Sequence, residues 1–269
     1  MIGATDRSPA LYAEGADGVL IAYRVHRAAT TRDDSATAAL PPVLLVHGFA
    51  STARVTWEGT GWVKALNEAG RTAVTVDLRG HGESDKPVGD DDYRPERLGA
   101  DLIAVLDTER ITRVDAVGYS MGNRVISALA ALAPERLRRV VVGGAGPNEL
   151  FASWRLDEVR ALLIDGVPTA NPVIEQVLRP AIEAGADPEA LLAVVAGVSG
   201  APLAIPGDVP TLFVAGEADP VPAGAQQLAL DWGADFVSIP GRDHVSTLTS
   251  RLFKDAAIGF LAASAGEER

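Results

Sequence analysis

Gly118-Tyr119-Ser120-Met121-Gly122 is the stretch of this 269-residue chain whose residue types and spacing most directly permit covalent chemistry. It follows the apolar run Val114 to Val117 and precedes a helical pattern from Val125 to Leu132, which predicts a serine on a sharp strand-to-helix turn. Such a turn strains the backbone and exposes the hydroxyl. Bulky residues two positions either side would clash, and glycine removes that obstacle. The helix beginning after the turn aims its N-terminal dipole at negative charge forming near Ser120. A bare Gly-x-Ser-x-Gly match also occurs in tight turns that merely expose a serine; the flanking strand and helix separate this segment from that case.

A serine hydroxyl is a poor nucleophile until a base takes its proton, and four histidines are available: His26, His47, His81 and His244. His26 falls in the N-terminal hairpin, away from the C-terminal strand ends where such sites form. His47 and His81 sit beside glycines in the loops after the Val43 to Val46 and Ala73 to Val76 runs, which points to turn-fixing roles near the site. His244, in Pro240-Gly241-Arg242-Asp243-His244-Val245, follows the strand-like Phe236 to Ile239 and precedes a final helix, so its loop can deliver an imidazole to the same sheet edge.

The imidazole in turn needs a carboxylate to hold its tautomer and stabilise the imidazolium. Asp219 stands after Leu212-Phe213-Val214-Ala215 and before the histidine in the chain, the order serine, acid, histidine; Glu217 is its nearest competitor. The other strand end that could carry an acid, Gly143-Gly144-Ala145-Gly146, has none. Two backbone N–H donors are also required for an oxyanion. Met121 would supply one, and Phe49, in His47-Gly48-Phe49-Ala50-Ser51, the other, since the preceding glycine lets the chain turn that N–H inward.

Positioning these groups requires a sheet. Val43 to Val46, Ala73 to Val76, Val114 to Val117, Val140 to Val142 and Leu212 to Val214 are short runs that are apolar but for Thr75 and Asp115, as buried parallel strands are. Between them lie amphipathic segments; Leu98, Leu102, Ile103 and Leu106 fall on one helical face. The alternation predicts an α/β fold with right-handed crossovers around a mostly parallel sheet flanked by helices. Val19 to His26, after the turn at Gly15 to Gly18, predicts a hairpin strand, and residues 27–40 read as a mobile polar surface loop. Residues 147–206 carry helical patterns (Leu156 to Ile164, Val173 to Ala184, Pro188 to Val198) without a strand, which predicts a helical cap inserted into a core domain of residues 1–146 and 207–269.

Assembled in this order, the sequence resembles the α/β-hydrolase superfamily, in particular its compact esterases, lactonases and carbon-carbon hydrolases with a helical cap. His47-Gly48-Phe49 looks like the family's oxyanion loop, and Asp77-Leu78-Arg79-Gly80-His81-Gly82-Glu83-Ser84-Asp85 like its turn after the following strand. The resemblance spans nearly the whole chain. It implies Ser120 as nucleophile, His244 as base, Asp219 as orienting acid, and Phe49 and Met121 as oxyanion donors, with no cofactor or metal. Asn123 departs from the pattern, standing where many relatives carry a second glycine, and the serine itself argues against the relatives that place an aspartate at this turn.

The expected reaction is cleavage of a small carboxylic ester through an acyl-enzyme. Carbon-carbon bond or lactone hydrolysis with the same groups is the alternative, and a ligand receptor or cofactor-free oxygenase reusing the fold is a third. Phe151, Trp154 and Leu163 are candidate apolar lining for a substrate pocket in the cap, or equally packing residues. The balance of 24 basic against 36 acidic residues, net −12, disfavours nucleic acid, anionic membranes and polyanionic substrates. The absence of cysteine excludes disulfides and thiol chemistry. Neither the first residues nor any later apolar run has the pattern of a signal or membrane segment, which predicts a soluble, cytoplasmic protein acting on a small molecule. Oligomeric state is left open.

Overall fold

Val43–Val46, Ala73–Val76 and Val114–Tyr119 are buried along their whole length, as strands covered by helices on both faces must be. The computed structural model describes residues 9–28, 40–89, 91–148, 151 and 153–263. Most of the predicted 27–40 loop, at residues 29–39, lies outside the described residues, as do residues 1–8. Among the described residues eight strands form one sheet: β1 (Leu11–Glu14), β2 (Leu20–His26), β3 (Val43–Val46), β4 (Ala73–Val76), β5 (Val114–Tyr119), β6 (Leu137–Gly143), β7 (Thr211–Gly216) and β8 (Asp235–Ile239). Their order is β1-β2-β4-β3-β5-β6-β7-β8. The hairpin strands β1 and β2 are antiparallel to each other and β2 to β4; every other pairing is parallel.

Chain direction across the sheet reverses between β3 and β5. The loop after β3 leads toward β4, whereas the chain after β5 leads toward β6. Adjacent strands whose connections diverge leave a crevice at their C-terminal ends, where α/β proteins place ligands. The Phe49 loop and Ser120 leave the sheet at that crevice.

Helices α1 (Trp62–Glu68), α2 (Pro95–Thr108) and α3 (Gly122–Leu132) follow β3, β4 and β5. Helices α4 (Leu156–Leu163), α5 (Pro172–Glu183) and α6 (Pro188–Val198) intervene between β6 and β7 with no strand among them. Then come α7 (Ala225–Trp232), α8 (His244–Thr249) and α9 (Arg251–Ala262). One face of the sheet is covered through Trp57, Trp62, Leu66, Phe253 and Ala257, the other through Leu102, Val105, Val125, Ile126 and Leu129. Val159, Leu162, Ile174, Leu178 and Val194 of the inserted helices continue this second cluster. Asn171 and Asp187 cap α5 and α6 with their side chains, and each helix has proline at its first turn.

At the sheet end remote from the crevice, the fully buried Asp115 of β5 is held by Arg71 and by both Nε (2.8 Å) and an Nη of Arg138. The same arginines donate to the carbonyls of Leu261 and Ala263, which fixes the end of α9. A buried carboxylate with both oxygens occupied by guanidinium donors satisfies the pairing that burial demands. His26 lies at this end too, opposite Ala73, with Nε2 3.0 Å from Thr75 Oγ1, so it stands apart from Ser120. Among the described residues no helix is long and apolar enough to cross a membrane.

Candidate active site

Ser120 adopts φ +52°, a left-handed backbone that a residue with a side chain enters at a cost of about 1–3 kcal/mol. The strain is held by its surroundings: Ser120 N–H donates to Gly143 O at 2.9 Å, and the Asn123 side-chain amide donates to Ser120 O at 3.0 Å and Gly143 O at 2.9 Å. The elbow also packs against the chain leaving β3. A Cβ on Gly122 would come 2.2 Å from Val46 O, and one on Gly48 would come 3.2 Å from Ser120 Cβ. Backbone already fills the space a side chain at Gly122 would need, whereas a methyl at Gly48 would only press on Ser120. Asn123 therefore stands where the resemblance leads one to expect glycine and acts as a polar clamp, with its own Oδ1 buried and unpartnered.

His244 and Asp219 are brought together. Nδ1 of His244 lies 2.8 Å from Asp219 Oδ2; the Asp219 side chain is fully buried, while 30% of the imidazole side chain is exposed. The second carboxylate oxygen accepts the Val221 N–H at 2.9 Å, so both oxygens are engaged. His244 is the first residue of α8, whose N-cap Asp243 forms a reciprocal pair with Ser246. Glu217 turns elsewhere: its carboxylate accepts the Gly241 N–H at 2.9 Å, a brace for the histidine loop. The Tyr119 hydroxyl donates to the main-chain carbonyl of His244, and the two rings lie 5.1 Å apart. That tyrosine connects the strand carrying Ser120 to the helix carrying His244.

The N–H groups of Phe49 and Met121 meet no acceptor among the described residues. The loop presenting Phe49 is stiffened by two buried histidines. His81 accepts the Ala50 N–H at Nε2 (3.2 Å) and donates from Nδ1 to Arg79 O (3.1 Å). His47 accepts the Leu78 N–H at Nε2 (3.0 Å) and donates from Nδ1 to Gly48 O (2.7 Å). These partners require the neutral imidazole in each case. Burial pushes both histidines down, His81 to about 3 with the neighbouring His47 adding to the effect. Asp77 completes the brace, accepting the Ala53 N–H at 2.7 Å and the Glu83 N–H at 3.0 Å. Arg79 ties the same turn to α2 through two bonds of 2.6 Å to Asp101.

Phe49 carries its ring into an aromatic group, 5.1 Å from Phe151 and 5.9 Å from Trp154, both edge-on. Phe151 is buried and Trp154 half-buried; Leu163 is buried at the end of α4 in the same apolar cluster. Residues 149, 150 and 152, at the start of the predicted insertion, lie outside the described residues. Among the described residues no group of three or more His, Asp or Glu side chains has the arrangement of a metal site. Tyr119 and Asn123 are the site neighbours that sequence reasoning missed as positioning groups. Asn123 had a signal, its departure from the expected glycine; Tyr119 had none.

Comparison with known proteins agrees with this architecture. The family model described as alpha/beta hydrolase fold matches residues 41–165. A hydrolase structure from Pseudomonas aeruginosa PA01 superposes with a TM-score of 0.74 at 26% identity, covering 94% of this chain and 98% of that one. The enol-lactonase structure from Burkholderia xenovorans LB400 gives 0.73 at 25% identity, covering 94% and 100%. The 2-hydroxy-6-oxononadienedioate/2-hydroxy-6-oxononatrienedioate hydrolase of Cupriavidus pinatubonensis is 34% identical over 145 residues, 51% of this chain and 47% of that protein. An uncharacterized Mycobacterium tuberculosis protein is matched over 29% of its length, so the chain spans less than half of these two curated relatives. The chain has the α/β-hydrolase fold, and its family-model match covers residues 41–165.

Proposed function

We propose that this protein is a serine hydrolase that cleaves a small carboxylic ester through an acyl-enzyme. The observation that carries the reading is the buried Asp219 carboxylate bonded to His244 Nδ1 at the strand edge where the Ser120 elbow also emerges. That bond fixes the tautomer in which Nε2 carries a lone pair, the form a general base requires.

In the proposed sequence, Ser120 Oγ attacks the carbonyl carbon while His244 Nε2 takes its proton. The carbonyl oxygen becomes an oxyanion held by the Phe49 and Met121 N–H groups. Collapse of this intermediate breaks the bond to the leaving alkoxide, which receives the proton from His244. Water then enters, gives its proton to His244 and adds to the acyl carbon; collapse releases the carboxylic acid and returns the proton to Ser120. The unpartnered state of those two N–H groups supports their role. The aromatic group of Phe49, Phe151 and Trp154 favours an apolar acyl or alcohol portion.

Lactone hydrolysis is a second reading with its own support, since the enol-lactonase structure is matched along 94% of this chain. It uses the same steps with the leaving alkoxide still tethered. The test of both is covalent labelling by a fluorophosphonate probe, with mass mapping of the adduct, alongside hydrolysis of p-nitrophenyl acetate, p-nitrophenyl butyrate and a simple γ-lactone. Labelling at Ser120, with turnover lost in Ser120→Ala, is expected. Undiminished turnover in Ser120→Ala would refute the mechanism, and lactone turnover exceeding ester turnover would select the second reading.

A further inference from the structure

Tyr119 precedes Ser120 at the end of β5, and its position in the elbow says nothing by itself about what its side chain does. In the structure the phenol is 5% exposed, and its hydroxyl donates to the main-chain carbonyl of His244, 125 residues further along the chain. The ring lies tilted at 39° to the imidazole, with 5.1 Å between centroids. One side chain thus joins the segment carrying the nucleophile to the segment carrying the imidazole.

The slot for this arrangement is made by Gly143 and Gly144. A Cβ on Gly144 would come 2.8 Å from Tyr119 Cζ and 3.1 Å from His244 Cε1, and one on Gly143 would come 2.9 Å from Tyr119 Cδ2. Gly144 also holds φ +59°, where side chains are disfavoured. The strand end that lacks a carboxylate is therefore occupied by the aromatic contact.

We propose that Tyr119 is a positioning residue for His244, an inference that rests on the reading of His244 as the base. Asp219 restrains the imidazole at Nδ1, but the ring can still swing if the backbone of the α8 start shifts. The Tyr119 hydroxyl restrains that backbone. Two anchors, one on the ring and one on its main chain, leave the imidazole little freedom to turn. Misplacement by about 1 Å from a distant change can cost a hundredfold in rate, so a hydrogen bond fixing the backbone of a base acts on the transition state more than on substrate binding.

The test compares wild type, Tyr119→Phe and Tyr119→Leu by three readouts: kcat and KM for p-nitrophenyl butyrate, the rate of fluorophosphonate labelling at Ser120, and the downfield proton resonance of the His244 Nδ1–H shared with Asp219. Tyr119→Phe keeps the ring and removes only the hydroxyl, and should lower kcat and labelling rate together by roughly three- to tenfold, the worth of one hydrogen bond. KM should hold, the downfield resonance should weaken or broaden, and Tyr119→Leu should lose more. Wild-type kcat and an intact resonance in Tyr119→Phe would overturn the proposal. So would loss of the cooperative thermal transition in that variant, which would make Tyr119 a core residue only. Failure of the underlying reading shows separately, as absence of Ser120 labelling in the wild type, and would remove the proposal with it.

Discussion

Asp219 accepts the Nδ1 hydrogen bond of His244 across 2.8 Å from a fully buried carboxylate, while Glu217, two residues earlier, spends its carboxylate on the Gly241 N–H. The two acids leave the same strand end, but only Asp219 meets the imidazole. Asp219→Asn should therefore lower kcat by about three to four orders of magnitude, because an amide stabilises the wrong tautomer and cannot stabilise the imidazolium. Glu217→Gln, at an exposed position, should change kcat by less than about threefold. Steady-state kinetics of the two variants on one p-nitrophenyl ester decides between them, and a collapse confined to Glu217→Gln would reverse the assignment.

Acid should loosen the fold through His81. Its folded pKa of about 3 lies below the ordinary histidine value of 6.5, so between those values the unfolded chain binds the proton and the folded chain does not. Stability from this group is thus fully present above pH 6.5 and is lost as pH falls toward 3, at up to about 1.4 kcal/mol per pH unit. Buried His47 is shifted in the same direction and should add to the slope. Urea unfolding at pH 7, 6, 5 and 4 should show the decline, and His81→Leu, though less stable at pH 7, should show a flatter one. A parallel slope in the variant would assign the acid sensitivity elsewhere.

The two elbow glycines should separate folding from catalysis. A methyl on Gly122 would meet the Val46 carbonyl at 2.2 Å, and backbone cannot yield without shifting β3 against α3, so Gly122→Ala should cost more than about 3 kcal/mol or abolish soluble expression. The methyl of Gly48→Ala would sit 3.2 Å from Ser120 Cβ and 3.9 Å from Oγ, tolerable for packing but crowding the hydroxyl. That variant should fold, with a thermal midpoint within a few degrees of wild type, and lose at least about tenfold in kcat. Equal losses of stability in both would contradict this division.

Much of the fold and of the site was legible because the signals were local. The runs at β3, β4 and β5 are apolar apart from Thr75 and Asp115, and α5 and α6 fall within the helical patterns at Val173 to Ala184 and Pro188 to Val198. Ser120 and the loop of Phe49 carry their glycines within two residues. What stayed hidden depends on distant partners. Helix α7 fully buries only Ala225 and Ala229, with Leu228 and Trp232 half-buried beside them, so its inward face spans just two turns. The neutral tautomers of His47 and His81 are set by the N–H groups of Leu78 and Ala50, each 31 residues away in the chain, which no spacing rule supplies. The Tyr119 contact with His244 spans 125 residues and depends on a slot opened by Gly143 and Gly144 at the end of β6.

Asn123 offers a test of how the strained serine is held. Its side-chain amide donates to Ser120 O and Gly143 O, and Gly143 O also receives the Ser120 N–H, so one side chain locks both partners of the bond that fixes the elbow. Asn123→Ala removes both side-chain donors, leaving Ser120 O with only the main-chain N–H of residue 123 and Gly143 O with only that of Ser120, which should cost about 1 kcal/mol and lower kcat as Ser120 gains freedom. Asn123→Asp keeps the shape but turns a carboxylate oxygen toward the two carbonyl oxygens, at a position where Oδ1 already lacks a donor. Repulsion and burial of charge should make it the less stable variant by thermal denaturation, despite its closer size. The order wild type, Ala, Asp in thermal midpoint identifies the amide donors as what restrains the elbow; an Asp variant as stable as wild type would mean that Asn123 merely fills space.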